Sequence, residues 1–213
     1  ARNLVTLLPG TEKEIKDVRD LAFNDVIYFS VDGTPVEPRR TTVALSVKTP
    51  GAPDRGCNAC HAFLALHGGN RNNPEYCVFC HTPTTVAPED EGGEGVNFAL
   101  MVHKIHTGEE LARDYIVGNA NFKHVRFPGD RRRCDWCHVG DSQQLPLSTK
   151  LLPVQDPKGL LNPVGATTSA CTACHGEVYA ASHALANTTQ LGESCAACHK
   201  PGADFSVDRV HAQ

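Results

Sequence analysis

Cys57-Asn58-Ala59-Cys60-His61 decides how this chain is read, because its form returns four times. The others are Cys77-Val78-Phe79-Cys80-His81, Cys134-Asp135-Trp136-Cys137-His138, Cys171-Thr172-Ala173-Cys174-His175 and Cys195-Ala196-Ala197-Cys198-His199. All 10 cysteines fall in these pairs. Cys-x-x-Cys-His is the pattern of c-type haem attachment. Two thiols add to the two vinyl groups of one haem, and a two-residue gap brings both sulfurs to one ring edge. The next residue then lies under the iron, where an imidazole serves as the proximal ligand. Zinc ribbons and redox dithiols also use Cys-x-x-Cys, but neither requires His directly after the second Cys. Five pairs with no thiol left over predict five haem c groups and no disulfides. His61, His81, His138, His175 and His199 are the expected proximal ligands of the iron.

Working outward, the second axial ligands follow from a count. Of 11 histidines, five are proximal, which leaves His67, His103, His106, His124, His183 and His211. The other common distal ligand is methionine, and the chain has one, Met101. Five bis-His haems with one spare imidazole is the simplest solution. Phe98, Met101, Val102 and Ile105 follow a helical rhythm, with Asn97 able to cap and Gly108 able to stop. His103 and His106, three apart, then share a face and can serve two neighbouring haems. His67 precedes Gly68-Gly69, where backbone can pass close to a flat ring. His183 lies between the fourth and fifth motifs and His211 follows the fifth. His67, His103, His106, His183 and His211 are the expected distal ligands, and His124 the spare.

Residues 1–50 contain neither Cys nor His. Val26–Val31 reads as a strand, Asp32-Gly33-Thr34-Pro35 as a turn, and Thr42–Val47 alternates like a second strand. Glu12–Asp20 is a charged segment with some helical character. Residues 1–50 are therefore expected to form a small β appendage or the end of a β domain. Residues 51–213 form the haem module, at roughly 33 residues per haem, so the macrocycles must supply much of the core. The expected fold class is mostly irregular, with short α-helices around a pentahaem core and a small β-hairpin or β segment at the N-terminus. Pro88–Gly95 is acidic and glycine-rich and reads as a solvated loop, with a calcium site as its alternative. Arg131-Arg132-Arg133 reads as a solvated basic turn or a set of propionate partners.

Composition bounds the rest. Hydrophobic residues make up 40% and aromatics 6% of 213 residues, a thin supply for a core made of peptide alone. A net charge of −4 leaves no basic footprint for nucleic acid. No apolar run reaches the ~20 residues needed to span a bilayer. Ala1 opens a polar stretch rather than a signal peptide, and no cysteine precedes Cys57 to carry a lipid. Covalent haem attachment places the protein on the export side: periplasmic, cell-surface or extracellular.

The chain resembles the multihaem outer-membrane cytochromes of metal-reducing bacteria, specifically one pentahaem domain of the decahaem members. The resemblance rests on Gly56–His61, Leu66–Arg71, Cys77–Pro83, Met101–Gly108, Val125–Gly129 before Cys134, and Cys195–His211. It spans roughly residues 35–213. It implies closely spaced bis-His haems that pass electrons to minerals, flavins or partner cytochromes, with distal roles for His67, His103, His106, His183 and His211. The chain departs from the large members in having one such domain, no complete Greek-key β domain with a disulfide, and no lipidated Cys. The expected function is electron transfer without bond chemistry. Two alternatives are a subunit of a polymeric haem filament, with His211 donated to a neighbouring copy, and a multihaem reductase with one open haem. The reductase reading is opposed by five motifs that all end in His and by enough imidazoles to close every iron.

Overall fold

The computed structural model describes residues 4–8, 11–14 and 23–212; of the first two stretches it describes the backbone alone. The architecture is mostly irregular, with short helices and three two-stranded antiparallel sheets among the described residues. The order is β1 (Leu4–Leu8), β2 (Thr11–Glu14), α1 (Pro74–Cys77), α2 (Phe98–Thr107), β3 (Ile116–Val117), β4 (Ala120–Asn121), α3 (Ala166–Thr172), α4 (Val178–Ala186), β5 (Thr188–Thr189), β6 (Gly192–Glu193), α5 (Ala196–His199) and α6 (Val207–His211). Each sheet is a hairpin of neighbours in sequence: β1 with β2, β3 with β4, β5 with β6.

The N-terminal hairpin lies at Leu4–Glu14, not where alternation suggested. Glu12–Glu14 is strand rather than helix, and Ile15–Asp20 lies outside the described residues. Val26–Val31 is extended but joins no sheet, and Ile27, Phe29 and Val31 on its outer face are 82%, 79% and 99% exposed. Alternation reports an extended chain with one apolar face; pairing also needs a neighbouring edge, and none lies beside it among the described residues. The segment is tied down by asparagines instead. Asn24 N–H donates to Asn72 Oδ1 at 3.1 Å, Asn72 N–H donates to Asn24 Oδ1 at 3.0 Å, and Asn73 Nδ2 donates to the Asn24 carbonyl. Thr42–Val47 makes only single bridges, Val43 with His138 and Val47 with Arg55. Its neighbours are tight turns around haem-type motifs, which cannot extend a ladder. The turn at Asp32 is present, with Asp32 Oδ1 accepting from Thr34 N–H.

α2 forms where the 3.6-residue rhythm placed it. Asn97 Oδ1 accepts from Leu100 N–H at its start, and Gly108 ends it at φ +52. Only glycine suits that position on two counts: the left-handed φ, and a Cβ there would strike the Val125 carbonyl. Leu100 of α2 is fully buried and joins Val154, Val164 and Ala173, the residue just past α3, with Leu161 packed alongside. Burying such a side chain contributes about 1.5–3 kcal/mol, so this one small cluster is slight for a module of this size. Large apolar side chains are instead left uncovered beside the motifs: Phe63 at 52%, Leu66 at 50%, Phe79 at 60% and Phe205 at 61% exposed.

A buried ionic cluster braces α2 from below. Lys104 Nζ donates to both carboxylate oxygens of Asp156 at 2.8 Å, and Arg113 makes a two-pronged pair with Glu94 at 2.6 and 2.9 Å. Tyr115 O–H donates to the Gly95 carbonyl, and its ring lies 5.1 Å from the Lys104 ammonium. This revises the reading of Pro88–Gly95. Its first acidic residues are exposed, but Glu94 is a buried structural anion with its own guanidinium. The arginine turn is solvated in part: Arg132 pairs with Asp130 and Arg133 with Asp135, while Arg131 reaches Glu110 and the Thr107 carbonyl.

Candidate functional site: five imidazole pairs beside five cysteine pairs

All five motifs adopt one local geometry. In each, the first Cys carbonyl accepts from the N–H of the second Cys at 3.2–3.3 Å and from the His N–H at 2.9–3.0 Å. The same turn recurs whether the segment sits in a tight turn (Cys57–Ala59, Cys134–Trp136), at the end of a helix (α1, α3) or forms the helix itself (α5). The second Cys of each pair is exposed. Burial holds the thiols of Cys57, Cys77 and Cys134 above the ordinary range, Cys57 at about 11, which is opposite to what an attacking redox dithiol needs. Among the described residues, no three His, Cys, Asp or Glu side chains converge on a metal-sized point.

Each motif histidine faces one other imidazole. The ring centres are 6.0 Å apart for His61 and His106, 5.9 Å for His81 and His67, and 6.1 Å for His138 and His103. They are 6.2 Å apart for His175 and His211 and for His199 and His183. Two metal–imidazole bonds of about 2 Å, plus about 1 Å from each nitrogen to its ring centre, add to about 6 Å. The gap therefore has the width of one six-coordinate iron. His124 is exposed and stands in none of these pairs. His211 faces an imidazole of its own chain.

The helices explain these meetings. α2 sends His106 toward the first motif and His103 toward the third, whose backbones are joined by Gly56 N–H donating to the Trp136 carbonyl. His67 is held at φ +51 in the tight turn Leu66–Arg71, which swings its ring over to His81. α4 carries His183 and α6 carries His211.

The unused ring nitrogens are anchored. Nδ1 donates to a backbone carbonyl at 2.8 Å in His81 (Val96), His106 (Val102), His199 (Phe205) and His211 (Val207). Such a bond fixes the tautomer and leaves Nε2 free as a metal ligand. His138 Nδ1 donates instead to Ser142 Oγ at 2.8 Å, whose own O–H goes to the Thr42 carbonyl. His103 Nδ1 is sealed from solvent and makes no hydrogen bond of good geometry, with only a weak contact to the Ala99 carbonyl one turn back. Burial pushes His103 down to about 4 and also lowers His106 and His138. All three are thus neutral at pH 7, the form that binds metal. Ser142, Val96 and Phe205 could not be read from sequence, since they reach their histidines through irregular loops. Phe127, edge-on to His106 at 5.6 Å, belongs with them.

An apolar cleft of about 240 Å³ opens beside the fourth motif, where Leu160, Leu161, Val178 and Ala181 stand near Cys174 and His175.

The family model for outer membrane cytochromes, MtrC/MtrF-like, domains II/IV, matches residues 53–212. The chain belongs to that family. It is accordingly a multihaem electron-transfer cytochrome with c-type haem as its cofactor. No curated protein matches the chain. The residues fit the group on their own evidence: paired cysteines in one recurring turn, imidazole pairs an iron's width apart, and uncovered apolar side chains around them. Among the described residues, no helix is long and apolar enough to cross a membrane.

Proposed function

We propose that this cytochrome carries five covalently bound haems, each ligated by one of the five imidazole pairs, and serves as an electron conduit. The observation that carries this reading is the set of five ring pairs at 5.9–6.2 Å, one for every motif histidine. An imidazole pair at every motif would leave no open ligand position for a substrate, which favours a carrier over a reductase. The intrachain pairing of His211 removes the ligand sharing that would mark a filament. Haem carries the redox change, while the chain sets spacing, ligands and burial.

The cysteines also support an order. Cys57 lies within electrostatic reach of Cys77 and Cys137, Cys134 of Cys174, and Cys171 of Cys195. Read as neighbours, the sites run second, first, third, fourth, fifth in single file. The second and fifth motifs are then the ends through which electrons enter and leave. Partner cytochromes, flavins and metal ions or minerals are the proposed exchange partners, on the export side of the cell. Negative charge from the chain and the haem propionates favours cationic partners at the rim.

Intact mass under denaturing conditions tests the stoichiometry, with apoprotein plus five haem masses expected. A smaller covalent increment, or a high-spin ferric signal in the oxidised protein, would defeat the bis-His reading.

A further inference from the structure

We propose that the His103/His138 site is the highest-potential site of the five, so that the first electron to enter rests in the middle of the row. This deepens the conduit reading and rests on it. The observation is a difference among otherwise similar sites. At the first, second, fourth and fifth motifs, one imidazole of the pair donates Nδ1–H to a backbone carbonyl at 2.8 Å. At the third, neither does. His138 has only the hydroxyl of Ser142, and His103 no more than a weak contact to the Ala99 carbonyl.

The chemistry runs in one direction. An acceptor on Nδ1–H pushes electron density through the ring onto the metal-bound nitrogen and makes it a more basic ligand. A more basic ligand favours ferric over ferrous iron and lowers the potential, so a site without carbonyl acceptors sits higher. Ser142 is polarised by donating to Thr42, which strengthens it as an acceptor, but a hydroxyl oxygen remains weaker than an amide carbonyl. Burial acts the same way, because low dielectric penalises the more highly charged ferric state. The Nδ1 of His103 is sealed from solvent. The rings of His103 and His138 are near parallel, at 11°, against 32° to 90° in the other pairs. Parallel rings oppose the effect slightly, by redistributing d-orbital energies, but they do not alter ligand basicity. The order of sites makes the assignment functional: third lies between first and fourth, so its electron is equally far from both ends.

The test is a redox titration of the haem-loaded protein followed by electron paramagnetic resonance. Near-parallel imidazoles give a rhombic low-spin signal and near-perpendicular ones a strongly anisotropic signal, so the 11° pair gives the most rhombic signal, and the Ser142 variants distinguish it from the 32° pair of the second site. The rhombic signal should be the first to vanish on stepwise reduction. Ser142→Asp places a carboxylate on His138 and should shift that signal alone to lower potential, by about tenfold in its oxidised-to-reduced ratio, or 59 mV for a one-electron couple. Ser142→Ala removes the acceptor with little change of volume and should shift the same signal upward. A rhombic signal that survives into the later reduction steps overturns the proposal. So does a variant with all five haems attached in which no signal, or a different one, moves. Fewer than five haems in the wild type would instead overturn the pentahaem reading, and this ranking with it.

Discussion

His103 and His106 stand one turn apart on α2 yet face different partners, His138 at 6.1 Å and His106's own partner His61 at 6.0 Å. One helix thus ties the first and third motifs together. On the proposed assignment, His103→Ala and His106→Ala each open one iron and not the same one. Each should produce a high-spin ferric signal and carbon monoxide binding at a single haem, and the double change at two. His124→Ala should do neither. Equal loss from either single change at both haems would contradict the pairing.

Gly108→Ala should loosen both pairs at once. A side chain there meets the Val125 carbonyl and must adopt φ +52, so the end of α2 has to shift. The expected loss is more than about 1 kcal/mol of stability. Partial high-spin character should appear, visible by resonance alongside a lowered melting temperature.

Lys104→Met should destabilise the module by about 3 kcal/mol, because it leaves the buried Asp156 carboxylate with only Arg113 at 3.8 Å. Lys104→Met with Asp156→Leu should recover most of that, since a well-packed apolar pair can replace a buried ion pair. Denaturant midpoints of the single and double variants decide the point. A single variant as stable as wild type would show that the pair contributes nothing.

Glu193 caps α3 from outside the helix, its carboxylate accepting from the N–H groups of Thr167 and Thr168 at 2.9 and 2.7 Å. Burial raises its carboxyl, but the bonds from Thr168 and Thr167 outweigh burial and hold it below 4.5. A depressed carboxyl stabilises the fold fully above its unfolded value near 4.5, and that contribution disappears as pH falls through the lower folded value. Thermal melts from pH 7 to pH 3 should therefore show an acid loss that Glu193→Gln lacks. The variant should cost about 1 kcal/mol at pH 7, the size of a helix cap.

Cys171→Ala with Cys174→Ala should lose one haem mass and also lower the melting temperature of the whole module. The one small cluster includes Ala173, between these cysteines, and the apolar cleft adjoins Cys174. A variant with four haems and unchanged melting would show that the haem is not part of the core.

The local chemistry was legible in the sequence. Cys-x-x-Cys-His declares its purpose within five residues, so the attachment segments needed no fold to be recognised. α2 was legible for the same reason: the rhythm of Phe98 to Ile105, the Asn97 cap and the Gly108 stop all lie within one short stretch. The strands were not, because alternation at Val26–Val31 reports a face and says nothing of a neighbouring edge. Nor was the burial of Glu94 in an acidic run, since Arg113, its partner, is 19 residues away. What tertiary structure alone decided was which imidazole faces which. His211 and His175 are 36 positions apart, His103 and His138 are 35, and no local rule couples residues across such loops. Ser142 beneath His138, and the weak contact beneath His103, are products of that packing. They distinguish the third site from four others whose motifs are, as sequence, the same.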